Sequence, residues 1–169
     1  MSKINTTPDL YDDSVDNQDE PMTQDEILKN EGDILADLLS LEQEADRPEN
    51  YRTIRIKRGK KVKLAFRIRP ITESESRTCI KRATPTVRNK NVKPETDWVK
   101  YRSLMLYTAT VDEDRRKIWD NKDAIQKMNV MEGWEIIDKV IFAGEKSRIL
   151  EIIDEISGFD DELEETAGN

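Results

Sequence analysis

Four cations, Lys61, Lys63, Arg67 and Arg69, alternate with four apolar residues, Val62, Leu64, Phe66 and Ile68, along the run KVKLAFRIR; only Ala65 on the cationic row is uncharged. A row of lysine and arginine can bind phosphates or carboxylates by charge, and arginine adds paired hydrogen bonds. It does not provide acid–base chemistry near neutral pH. The chain has no histidine, which removes the usual general base and the commonest metal ligand. The single cysteine, Cys79, has no partner for a disulfide, a zinc site or a Cys–His pair, and reads as a buried helix residue. Gly59-Lys60-Lys61 lacks the upstream glycine and the Ser/Thr of a phosphate loop. Asp112-Glu113-Asp114 lacks calcium-loop spacing and reads as a solvated acidic turn. The expectation is a protein without catalytic residues, metal or cofactor.

The cationic row has three readings. Arg55, Lys57, Lys61, Lys63, Arg67 and Arg69 can be the wet face of a two-sided sheet, where lysine also discourages edge pairing. They can meet an acidic surface, on this chain or on a partner. They can meet nucleic acid, but the one nearby aromatic, Phe66, belongs to the opposite row, and single-strand binders add stacking rings. Charge is segregated. Residues 1–51 carry 3 basic and 15 acidic residues (net −12), residues 52–93 carry 15 and 2 (net +13), and residues 94–169 carry 10 and 19 (net −9). Acidic flanks repel phosphates, so nucleic acid ranks last.

The elements that must position this row follow from periodicity. Alternation at period two predicts a half-buried strand, and Ile54 and Ile56 alternate with Arg55 and Lys57 in the same way. With Arg58-Gly59-Lys60 as the turn, 51–70 reads as an antiparallel β-hairpin, which needs a cover on its apolar face. Pro70 stops the strand, and Thr72 with Glu75 forms a capping box for a helix over 73–83. Upstream, 1–22 is acidic and aperiodic and reads as a disordered tail. Thr23–Glu26 is a second capping box, and Ile34, Leu38, Leu41 and Ala45 mark an amphipathic helix over 33–47, with Gly32 a candidate interruption. Downstream, 84–94 reads as a loop and 98–111 as a helix with Trp98, Tyr101, Met105 and Thr108 on one face, of which Trp98, Tyr101 and Met105 read as core. A charged break at 112–116 precedes a helix over 118–128. A helix over 132–142 buries Trp134, Ile137 and Ile141; Gly144 breaks it, and a helix over 145–157 buries Ile149, Ile152, Ile153 and Ile156. Gly158 caps this last helix, Phe159 folds back on it, and 160–169 is an acidic tail.

The fold class is therefore α+β: a mostly helical single domain over 23–159 with a small antiparallel β-hairpin, between disordered acidic termini. At 36% hydrophobic and 38% charged residues the core is modest. No 18-residue apolar run exists and Met1–Asn17 lacks an apolar signal core, so the expectation is a cytoplasmic chain with no membrane partner.

The strand end Phe66-Arg67-Ile68-Arg69-Pro70, followed by Thr72-Glu73-Ser74-Glu75 and a helix, resembles the tail assembly chaperones of contractile-tailed bacteriophages and related prophage particles. The block Phe142-Ala143-Gly144-Glu145, then Ile149–Ile153 and Ser157-Gly158-Phe159, is similar to the end of the same family, and the acidic helix around Ile34–Leu41 fits it. The resemblance spans roughly 33–160 and leaves out Thr84–Pro94. It implies a non-enzymatic protein of the host bacterial cytoplasm that binds the tape measure protein, keeps it soluble while the tail tube grows, and leaves before the tail matures. It also implies that a frameshifted longer product can exist; that product and self-association stay open. The candidate partner-binding residues are Ile34, Leu38 and Leu41 on the helix and Val62, Leu64, Phe66 and Ile68 on the hairpin, with Lys61, Lys63, Arg67 and Arg69 as the basic face. Competing readings are a structural component retained in the tail or baseplate and a nucleic-acid-binding regulator that uses the hairpin.

Overall fold

The computed structural model describes residues 31–158; the capping box at 23–26, the acidic ends at 1–22 and 160–169, and Phe159 lie outside them. The chain divides into two units, 1–38 and 39–169, at a point inside helix α1 (Glu31–Glu42). Of the first unit the described part is the start of α1, which runs through Gly32 and leaves Leu35 and Leu38 exposed.

In the second unit α1 ends at Glu42, and two 3-10 turns, Glu44–Asp46 and Pro48–Asn50, replace the expected helical residues up to 47. Strands β1 (Arg52–Arg58) and β2 (Lys61–Ile68) then pair antiparallel around a Gly59-Lys60 turn. Gly59 has φ +63°, a conformation that favours glycine. The pairing runs Ile54 with Phe66 and Ile56 with Leu64, then slips by one residue so that Lys57 faces Val62. This bulge at Lys63 breaks the strict alternation read from the sequence. It moves Val62 to the row of Arg55 and Lys57, where it is 48% exposed.

Helix α2 (Glu73–Ala83) has the expected bounds and the expected capping box: Glu75 N–H donates to Thr72 Oγ1 at 3.3 Å, and Thr72 N–H donates to Glu75 Oε2 at 2.9 Å. After an irregular stretch, α3 (Trp98–Ala109) starts on the Asp97 cap and becomes the central helix, packed against α2, α6 (Gly133–Val140) and α7 (Ala143–Ile156). Its buried residues are Ser103, Leu104, Met105, Leu106 and Ala109. Trp98 is not in the core: it is 60% exposed, against the expectation, because α3 is covered around its middle rather than along one stripe.

Asp112–Ile118 is helix α4, not a charged break. Its first turn is Asp112, Glu113 and Asp114 and its last Arg115, Arg116 and Lys117, an order that complements the helix dipole. Trp119 and Asp120 then separate α4 from the short α5 (Lys122–Met128), which Asn121 caps. Ile137 and Ile141 are buried as read, while Trp134 is half-buried. Gly144 lies in the first turn of α7, so the break falls at Ile141-Phe142. Ile149 and Ile153 of α7 are buried, Ile152 and Ile156 half-buried, and Gly158 ends the helix at φ +86°.

One core joins these pieces. Phe66 packs edge-on against fully buried Trp119, with ring centroids 5.3 Å apart. The Trp119 indole N–H donates to Thr110 Oγ1 at 3.0 Å, so its polar atom is satisfied. Gly133 allows α6 to reach this point, since a Cβ there would lie 2.6 Å from Trp119 O.

Candidate functional site

The hairpin has two edges, and the structure treats them differently. In an antiparallel ladder a residue's N–H and C=O point the same way, and successive residues alternate. On β2, Arg67 and Arg69 turn away from β1. Arg67 C=O accepts from Val111 N–H at 2.9 Å, and Arg69 N–H donates to Ala109 C=O at 2.8 Å, around an isolated bridge between Ile68 and Thr110. Arg67 N–H donates to Asp114 Oδ2 at 2.7 Å. This edge is closed.

On β1, Thr53 is the register partner of Arg67 and Arg55 that of Ala65, so both turn their backbone groups outward on the other side. No backbone partner meets them among the described residues. Beside this edge runs a groove of about 480 Å³ between β1 and α7. Ile54, Ile56, Ile149 and Ile152 give it an apolar lining, and Arg55, Lys57, Glu145 and Arg148 its charged rim.

The arginines split along the same line. The Arg67 guanidinium donates to Asp114 Oδ2 at 2.9 Å and Oδ1 at 2.8 Å, and to Glu113 at 3.0 Å. Those bonds hold the Asp114 carboxyl below its usual range, and hydrogen bonds from Lys117 and Arg67 do the same for Glu113. Arg69 donates to Glu75 Oε1 at 2.6 Å. Partial burial pushes the Glu75 carboxyl up, but the bonds from Arg69 and Thr72 outweigh it and leave the group lowered. At the hairpin tip Arg58 pairs with Glu145, donates to Val140 C=O at 3.0 Å and lies 4.0 Å over the Phe142 ring. Arg55, Lys57, Lys60, Lys61 and Lys63 have no carboxylate within ion-pair distance among the described residues.

The sequence-predicted residues therefore separate. Phe66 and Ile68 are core and Leu64 is half-buried, so the hairpin's apolar face has the cover it needs, with Trp119 packed on Phe66 and the rest of the shared core beneath it. Val62 is exposed on the other row. Ile34 is half-buried, and Leu38 and Leu41 stand exposed on α1. Lys61 and Lys63 are exposed, while Arg67 and Arg69 are paired internally.

Sequence reasoning missed the wall of the groove, because no local signal brings α7 beside β1. It also missed a trio in which buried Lys146 donates through Nζ to buried Ser103 Oγ at 2.7 Å and to the more exposed Asp138 Oδ1 at 2.6 Å, while Ser103 Oγ bonds Asp138. A Ser–Lys pair is a nucleophile arrangement in other settings. Here Ser103 has no exposed surface, so the trio ties α3, α6 and α7 together. No group of three His, Cys, Asp or Glu residues among those described is placed to hold a metal, and no described helix is long and apolar enough to cross a membrane.

Over residues 35–168 the chain matches the model of the phage XkdN-like tail assembly chaperone proteins. The chain belongs to this family of phage tail assembly chaperones. Among solved structures, the crystal structure of the protein yqbn is similar at 17% identity with a TM-score of 0.42, covering 68% of this chain and 94% of that one. No curated protein matches the chaperone.

Proposed function

We propose that this chaperone binds the tape measure protein of a contractile-tailed phage in the host bacterial cytoplasm, keeps it soluble during tail assembly, and is released before the particle is complete. The observation that carries the reading is the open groove along the unpaired β1 edge. It combines an apolar lining with strand hydrogen-bonding groups and cations that have no partner among the described residues, on one side of an otherwise closed hairpin. A protein that shields an aggregation-prone chain needs such a surface, ringed by charge for its own solubility. The exposed leucines of α1 offer further apolar area. Internal pairing of Arg58, Arg67 and Arg69 with carboxylates supports acidic protein groups, rather than phosphates, as what these cations meet.

Co-expression with the tape measure protein of the same phage tests this. The chaperone should raise the soluble fraction of the tape measure protein and co-purify with it, and purified particles should lack the chaperone. A tape measure protein that stays insoluble and unbound contradicts the proposal. Stoichiometric chaperone in finished particles makes it a tail or baseplate component instead.

A further inference from the structure

We propose that the β1 edge takes up an extended protein segment in which acidic residues alternate with apolar ones, added to the hairpin as a third strand. The inference rests on the tape measure reading only for the identity of the partner chain.

Three features converge on this occupant. Thr53 and Arg55 turn N–H and C=O groups outward with no backbone partner among the described residues, which is what an added strand hydrogen-bonds. Side chains of a strand alternate between faces. One row of the incoming strand would lie over Ile54, Ile56, Ile149 and Ile152 in the groove. The other row would stand beside Arg55 and Lys57, which are exposed and have no carboxylate partner among the described residues. Opposite charges across neighbouring strands stabilise the pairing, and like charges oppose it.

Other occupants fit less well. The β1 edge of a second copy would bring Arg55 and Lys57 against the same cations. A helix would leave the strand's outward backbone groups without partners. Nucleic acid would meet the cations but gain nothing from the isoleucines, and no aromatic ring lines the groove to stack a base.

The test uses the full chain and a labelled peptide of about eight residues alternating glutamate with valine. Two controls are the same composition reordered to helical spacing and a peptide with lysine replacing glutamate. The alternating acidic peptide should bind and slow amide exchange at Thr53 and Arg55, and both controls should bind at least tenfold more weakly. R55E/K57E should weaken binding roughly tenfold. Thr53→Pro, which deletes an outward N–H while sparing the ladder, should weaken it too. Equal binding of the reordered peptide, or unchanged exchange at Thr53 and Arg55, overturns the proposal. So does protection of those two amides without peptide: in the dilute protein it assigns the edge to this chain's own acidic segments, and on concentration to a second copy. The client assay separates the two readings. Tape measure protein retained equally by wild type and R55E/K57E overturns the strand edge and leaves the chaperone reading intact. Peptide binding with no retention of tape measure protein does the reverse.

Discussion

The two edges of the hairpin carry similar residues and meet opposite fates. Arg67 and Arg69 on the β2 side have their outward backbone groups taken by Asp114, Val111 and Ala109 and their guanidiniums taken by Asp114, Glu113 and Glu75. Among the described residues, Arg55 on the β1 side has neither, and Lys57 has no carboxylate partner. An exposed strand edge is a hazard that folded proteins usually close. This chain closes one with the turn between α3 and α4 and, among the described residues, leaves the other open beside an apolar groove. The difference shows that a cationic row is not one functional unit: part of it is structural, and part remains available.

The comparison breaks most severely if the covered strand loses its anchor. Phe66→Ala removes a buried ring and its contact with Trp119, and should cost about 3–5 kcal/mol in denaturant unfolding. Next comes Glu75→Ala, which strips Arg69 of its nearer carboxylate partner and α2 of its capping box together, at about 1–3 kcal/mol. In both cases the loss should appear as a lower denaturant midpoint without a change in slope.

Acid provides a milder test of the same side. Glu75 and Asp114 are held below their ordinary values of 4.5 and 3.8, so the unfolded chain takes up protons first. Their contribution is complete above those values and is lost as pH falls through them toward the lower folded values. The melting temperature should therefore drop below about pH 4.5, and the E75Q/D114N variant should show a shallower drop. An equally steep profile in that variant would detach the acid response from the closed edge.

The smallest stability effect belongs to the open edge. R55E/K57E removes no ion pair recorded among the described residues, so its melting temperature should stay within about 2 °C of wild type while partner binding falls. A large loss of stability would show that these cations are structural after all.

How much of this was legible depended on the range of the interactions. The hairpin, the Thr72–Glu75 capping box and the bounds of α2 are local, and the sequence states them directly. The family resemblance, carried by the strand end and the Phe142–Glu145 block, was legible on the same ground and agrees with the match over 35–168. The bulge that relocates Val62 was not, because the residue types of β2 alternate through Lys63 whether or not the pairing slips there. Helix α4 was hidden by its charge, since without an apolar stripe only the acid-first, base-last order signals a helix. The burial of Trp119, the trio of Ser103, Asp138 and Lys146, and the pairing of Arg67 with Asp114 all join residues far apart in sequence. So does the groove, whose two walls lie about 90 residues apart in the chain.

The most direct measurement of the central claim is amide hydrogen exchange on the chaperone alone and on its purified complex with the tape measure protein. The account predicts that Thr53 and Arg55 exchange fast in the free protein and become protected in the complex, while Arg67 and Arg69 are protected in both. A stable complex in which Thr53 and Arg55 still exchange as in the free protein would contradict it.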